Sequence, residues 1–356
     1  MNNNFRIAIN GYGRIGQCVL RALYENGYRQ RMQVVAINQL ADPETVAYLT
    51  RYDTTHGRFP GTVAQTQDGL RINGDRIAIQ QQPDPSRLPW QDLGVDLVLE
   101  CTGALSRREQ AEAHLKAGAP RVLYSEPASP DVDKTVVFGV NHHVLTAADT
   151  IVSNASCTTN AIVPVIRLLH AHFGVERGML TTIHAAMNDQ PAIDTYHHPD
   201  LRRNRSAMAS IIPVDTGLAR GIDRLLPELT GRFTANAVRV PTLNVSMIDL
   251  TAQLARKTSK GEVNRLIRDV AADTALAGVL GWTDEPLTSS DFNHDPRSAV
   301  VDLTQTQVSD GHMVKLMVWF DNEWGFANRM LDTALAWLDR CEAQDRNNAR
   351  GNSHDD

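Results

Sequence analysis

The sequence predicts an α/β protein of two domains: a doubly wound parallel sheet first, then an α+β domain with a mostly antiparallel sheet. Three observations carry this. The chain has 356 residues, and a single hydrophobic core seldom grows past about 250. Residues 5–150 alternate short apolar strand-like runs with amphipathic helical ones, the pattern of a parallel sheet covered by helices. After a helix that starts near Cys157, the texture changes to long strand-like runs, and Ser309-Asp310-Gly311 joins the last two in hairpin fashion.

Phe5 to Asn10 reads as the first strand. Residues 14–26 place Ile15, Cys18, Val19, Ala22 and Leu23 on one helical face, with Gly27 as the stop. Strands follow at 32–38, 95–101, 121–125, 135–140 and 151–153, with a helix at 106–117 ended by Gly118. In the second half the strand-like runs are 178–186, 234–251, 298–308 and 312–320, and a helix over 323–340 rejoins the first domain. The expected domains are thus 1–156 and 157–322, with 342–356 a polar, aperiodic tail expected to be disordered.

Composition excludes several classes. Hydrophobic residues make up 42% and charged residues 21%, with a net charge of −6, so a folded chain that binds neither nucleic acid nor a membrane surface is expected. The only basic cluster is the short 200–205 segment. Neither a signal-peptide h-region at Met1-Asn2-Asn3-Asn4-Phe5-Arg6 nor a run of about 20 apolar residues is present, and a cytoplasmic location is the default expectation. The cysteines, Cys18, Cys101, Cys157 and Cys341, have no disulfide or zinc-ligand spacing, so no metal is expected.

Asn10-Gly11-Tyr12-Gly13-Arg14-Ile15-Gly16 contains G-x-G-x-x-G between a strand and a helix. Glycines there allow a tight turn and close approach to a pyrophosphate, whose charge the helix N-terminus favours. With the alternating pattern around it, this is a Rossmann-type dinucleotide site. Gly11, Gly13, Gly16 and Asn38 are its expected cofactor contacts. At the end of the second strand, where an acid usually holds the adenosine ribose, stands Gln39, which leaves NAD against NADP open; Asp42 follows three residues later.

In Ser153-Asn154-Ala155-Ser156-Cys157-Thr158-Thr159-Asn160 the thiol falls where a strand ends and a helix begins. Orphan N–H groups and the positive end of the helix favour a thiolate. His184, on the next strand-like run, could accept its proton. Read alone, His184 fits a structural role better than a catalytic one.

These residues resemble the glyceraldehyde-3-phosphate dehydrogenase family. The resemblance is carried by SNASCTTN together with INGYGRIG at 9–16, THGRF at 55–59, DLRRNR at 200–205, IIPVDTG at 211–217, RVPTLNVS at 239–246 and WFDNEWGFANRM at 319–330. It covers about residues 5–338. It implies NAD as cofactor, Cys157 as nucleophile and His184 as base. Ser156, Thr158, Arg203, Thr216, Gly217 and Arg239 would hold substrate and phosphate, Arg14 and Ile15 the cofactor pyrophosphate, and Asn322 the nicotinamide carboxamide. A homotetramer with residues 186–212 at subunit contacts is also implied.

Within the family, HAAMNDQPAIDTYHHPDLRR and DFNHDPRSAVVD resemble the branch that oxidises erythrose 4-phosphate, whose product feeds pyridoxal phosphate synthesis, rather than the glycolytic branch. Ala161 replaces a second cysteine and Met187 replaces a threonine that helps bind the sugar phosphate, which weakens or rebuilds a phosphate subsite. The pair His197-His198 lengthens the loop before Arg203 by one residue. Two other readings stay open: a phosphorylating enzyme acting on glyceraldehyde 3-phosphate, and a dinucleotide-binding protein without turnover.

Overall fold

A computed structural model describes residues 4–272 and 276–351. The chain forms two compact units, one built from the segment up to Ser156 and again from Ala327, the other from Cys157–Phe326.

Among the described residues, the first unit carries a nine-stranded sheet in the order Lys134–Thr135, Ile151–Ser153, Val122–Tyr124, Leu97–Glu100, Phe5–Asn10, Met32–Asn38, Asp75–Gln80, Gly69–Ile72, Val63–Thr66. Neighbours are parallel from one edge through Asp75–Gln80, and the last two strands are antiparallel. Successive side chains of a strand point to opposite faces, and those of Leu97–Glu100, Val122–Tyr124 and Ile151–Ser153 are all buried. Both faces of the sheet are therefore covered, as the apolar runs predict for a Rossmann-type unit.

The strand expected at 135–140 shrinks to Lys134–Thr135. Asn141 takes over the backbone there: its side chain accepts from the Val137 N–H at 2.8 Å and donates to the Thr135 carbonyl at 2.9 Å, which closes a turn instead. The last helix, Trp324–Gly351, returns to this unit. Its Trp337 indole donates to the Thr146 carbonyl at 3.0 Å and Thr333 donates to Asn154 at 2.8 Å. Residues 342–351, expected as a disordered tail, continue this helix. Pairs one turn apart, Glu342 with Arg346 and Gln344 with Asn348, supply the local support that an apolar period does not. The rest of the expected tail, 352–356, lies outside the described residues.

The second unit holds an eight-stranded, mostly antiparallel sheet in the order Ile212–Val214, Phe233–Val240, Val175–Ala185, Ser246–Leu254, Met313–Phe320, Ala299–Asp302, Leu280–Thr283, with Gln307–Ser309 also on Met313–Phe320. The single run expected at 234–251 is two strands. Pro241 cannot continue a ladder, and Val245 sits at φ 66° in a turn that sends the chain across Val175–Ala185 to its far side. No helix among the described residues is long and apolar enough to cross a membrane.

Candidate active site

In the first unit the glycine loop has the shape a pyrophosphate needs. Gly11 has φ 90°, and a Cβ there would lie 2.6 Å from the Thr102 nitrogen; a Cβ on Gly16 would lie 2.2 Å from the Gly11 carbonyl oxygen. Both positions require glycine for close backbone packing. Around Gly13, by contrast, a Cβ would meet nothing within 4 Å. Gly13 precedes the helix Arg14–Glu25, so the helix N-terminus begins beside that open space. These residues fit a dinucleotide pyrophosphate.

The side chains around the loop have other duties. The Arg14 guanidinium is forked onto Asp53, at 2.5 and 3.1 Å. Burial works against charge on Asp53, yet Arg14 and the N–H groups of His56 and Thr55 hold its carboxyl down at about 2. Any contribution of Arg14 to a pyrophosphate therefore comes through its backbone. Asn38 cross-links the strand ends, donating to Asn10 at 2.7 Å and to the Gln82 carbonyl at 3.0 Å. Gln39 accepts from the Tyr12 N–H at 3.2 Å, which ties the ribose end to the glycine loop. Asp42 caps the helix Pro43–Arg51 and spends both oxygens on Thr45.

Ser156 closes the first unit and Cys157 opens the second, as the first residue of the helix Cys157–Phe173. Two residues earlier Ala155 is turned to φ 56°, a left-handed conformation that a non-glycine residue holds only where its surroundings impose it. The Cys157 sulfur is half-buried, and the Nε2 atom of His184 lies 3.7 Å from it. His184 sits near the end of Val175–Ala185, and its Nδ1–H donates to the Ala185 carbonyl at 2.8 Å. That bond sets the tautomer, so the lone pair of Nε2 faces the sulfur. The Phe320 ring stands edge-on to the imidazole at 6.2 Å.

Helix position alone suggests a thiolate, but burial is the larger effect. It pushes the Cys157 thiol up to about 11, against the first-turn N–H groups of Thr158 and Cys157 and the charge of Arg239. Burial likewise lowers the His184 imidazole. Each effect describes one group charging alone. A proton passing from sulfur to Nε2 creates both charges in contact, and the two titrate as one pair.

Arg239 lies on Phe233–Val240, in register with His184 on the neighbouring parallel strand. Arg203 lies within a short helical turn, Leu201–Asn204. Both guanidiniums grip one carboxylate, Asp189, and Arg239 also donates to Gln190 at 3.1 Å while Arg203 meets His198 Nε2 at 3.0 Å. Burial opposes charge on Asp189, but Arg239 and Arg203 hold its carboxyl below the usual range. The arginines expected to bind phosphate are thus brought together. Sequence reasoning missed Asp189 and Gln190; the signal was an acid in the loop directly after His184, where two converging cations need a counter-charge.

Thr216 and Gly217 line a cleft of about 440 Å³ with Arg220 and Asn236. The helix that follows, Leu218–Leu225, packs Gly221 against Thr159, where an added Cβ would lie 3.1 Å from the threonine hydroxyl, so this cleft is tied to the first turn of the Cys157 helix. Asn322 is buried in the turn after Met313–Phe320, and its Oδ1 accepts from Ser246 at 2.7 Å. The same hydroxyl accepts from the Ala185 N–H at 3.0 Å, so Asn322 and the His184 strand share a support.

Residues 5–108 match the family model described as glyceraldehyde 3-phosphate dehydrogenase, NAD binding domain. Residues 156–322 match that described as glyceraldehyde 3-phosphate dehydrogenase, C-terminal domain, and the two matches together span well over half of the chain.

Proposed function

Because the chain belongs to the glyceraldehyde 3-phosphate dehydrogenase family, whose NAD-binding and C-terminal domains it carries, we propose that it oxidises erythrose 4-phosphate to 4-phosphoerythronate through a thioester on Cys157 that water hydrolyses. The observation that carries the chemistry is the Cys157 sulfur 3.7 Å from a histidine nitrogen whose lone pair is turned toward it. A dinucleotide-binding protein without turnover needs no such pair.

In the proposed sequence, the sulfur adds to the aldehyde carbon as its proton passes to Nε2 of His184, which returns it to the new alkoxide to give a hemithioacetal. His184 next takes the hydroxyl proton as hydride departs. When bound, NAD supplies the acceptor for that hydride. A thioester remains on Cys157. His184 releases the proton it holds to solvent, then takes one from the attacking water; the C–S bond breaks, the acid leaves, and His184 returns its proton to the sulfur. Arg203 and Arg239 exchange the Asp189 carboxylate for the substrate phosphate, which offers the same forked acceptor geometry. Asn322 would donate to the nicotinamide carboxamide from the end not engaged by Ser246.

Two sequence features support the four-carbon substrate and water over the glycolytic reaction: the stretches that resemble the erythrose-4-phosphate branch, and Met187, which leaves a phosphate subsite without the hydroxyl donor the glycolytic members have there. NADH formation from erythrose 4-phosphate is expected to exceed that from glyceraldehyde 3-phosphate and to be indifferent to inorganic phosphate. Strong phosphate dependence with the triose would replace this reading by the phosphorylating one.

We also propose a homotetramer working in the cytoplasm. In its support, the segment 186–212 exposes Ile193 at 76%, Tyr196 at 85%, Leu201 at 81% and Ile211 at 71%, an apolar content unusual for a free surface. Sedimentation equilibrium should return four times the chain mass; a monomer would end the assembly reading and leave the chemistry untouched.

A further inference from the structure

The first unit holds a carboxyl group that none of these steps uses. Val122–Tyr124 lies beside Leu97–Glu100 with Tyr124 opposite Glu100, and the chain then turns through Ser125 and Glu126 at the carboxyl end of the parallel sheet. The turn is pinned. The Ser153 hydroxyl donates to the Glu126 carbonyl at 2.7 Å and accepts from the N–H groups of Ala155 and Ala128 at 3.1 and 3.3 Å. The Glu126 side chain is half-buried, and its Oε1 is enclosed with no hydrogen bond among the described residues.

Its position has a meaning in the sheet order. The glycine loop follows the central strand Phe5–Asn10. The strand on one side, Met32–Asn38, ends just before Gln39, the position that faces the adenosine ribose in such sheets. The nicotinamide half therefore extends to the other side, over the ends of Leu97–Glu100 and Val122–Tyr124, and Glu126 stands two residues past the latter. We propose that Glu126 faces the nicotinamide end of the bound dinucleotide and makes the site sense its redox state, favouring the cationic nicotinamide ring of NAD+ over the neutral ring of NADH when the carboxyl is ionised.

The groups facing Glu126 are Glu100, Cys101 and Tyr124. Glu100 accepts from Asn10, His114 and both the N–H and hydroxyl of Thr102, at 2.5 to 3.0 Å, the acceptor-only pattern of a carboxylate. Cys101 and Tyr124 are pushed up by burial and stay neutral. Burial and the charge of Glu100 push Glu126 up to about 7. It is thus neutral below that pH and ionised above it.

The test rests on NAD binding alone and not on the proposed substrate. Dissociation constants for NAD+ and NADH are measured by calorimetry from about pH 5.5 to about 8.5, a range that brackets the transition. The ratio favouring NAD+ should rise roughly tenfold across it, the effect of one partly screened charge. In Glu126→Gln the ratio should stay flat at its low-pH value. A wild-type ratio without pH dependence, or the same profile in the variant, would overturn the proposal. Should the variant lose NADH affinity at low pH and so prove misfolded, the wild type decides. Near pH 7, binding of NAD+ in buffers of different ionisation heat should release protons and binding of NADH should not; equal release with both cofactors overturns it equally.

Discussion

Cys157→Ser is expected to lower aldehyde-dependent NADH formation by roughly 10⁵-fold, the scale seen when a covalent nucleophile is removed from its constellation. Two properties are lost together. A serine hydroxyl is a far weaker acid than a thiol, so His184 would have to take a proton that the oxygen holds much more tightly. An alkoxide is also a poor leaving group beside a thiolate, so an ester formed by the variant would hydrolyse slowly. NAD affinity should be unchanged, because the glycine loop and its supporting strands belong to the other unit. The absorbance of NADH with erythrose 4-phosphate, beside calorimetry with NAD, checks both halves. Retention of more than about one hundredth of the activity would mean that the sulfur does not carry the reaction.

The thiol at a helix start and the glycine loop were legible for a physical reason: each depends on a local transition that leaves a mark in the chain. Gly11 and Gly16 are required because backbone atoms lie where a Cβ would be. The Cys157 position is marked by the change from a three-residue strand to a helix with buried apolar spacing. The antiparallel extension Val63–Thr66 and Gly69–Ile72 is missing from the sequence reading for the opposite reason. The edge strand is exposed at its two middle positions and shows no apolar run. A signal was there all the same. Asn73-Gly74 lies between Gly69–Ile72 and Asp75–Gln80 with φ of 48° and 95°, the two-residue turn that joins tight hairpins.

What cannot be read from local spacing is the balance among distant groups. The ionisation of Cys157 is one case, since helix position argues for thiolate and burial against it. The pairing of Arg203 and Arg239 on Asp189 is another. It joins residues 14 and 50 positions from that acid and depends on how the loop folds back onto the sheet. Roles assigned to side chains shifted in the same way: Arg14 and Asn38 serve the cofactor loop through backbone and framework bonds, because their own polar atoms are engaged by Asp53, Asn10 and Gln82.

His184→Asn separates the two influences on the sulfur. Asparagine can still donate to the Ala185 carbonyl, so the strand end keeps its anchor, but its amide cannot take the thiol proton. Turnover should fall roughly 10²- to 10⁴-fold, the range for loss of a positioned general base. The alkylation profile is the sharper readout. With the imidazole present, iodoacetamide should label Cys157 near neutral pH, because the proton can pass to Nε2, which lies 3.7 Å from the sulfur, and the resulting charges attract. Without it, the thiol must ionise into its surroundings, where burial holds it near 11. The labelling rate of the variant should therefore be low at neutral pH and climb about tenfold per pH unit through the alkaline range, as the thiolate fraction does below its midpoint. Superimposable profiles for the two proteins would show that His184 does not share the Cys157 proton, and the chemistry assigned to the pair would fail with it.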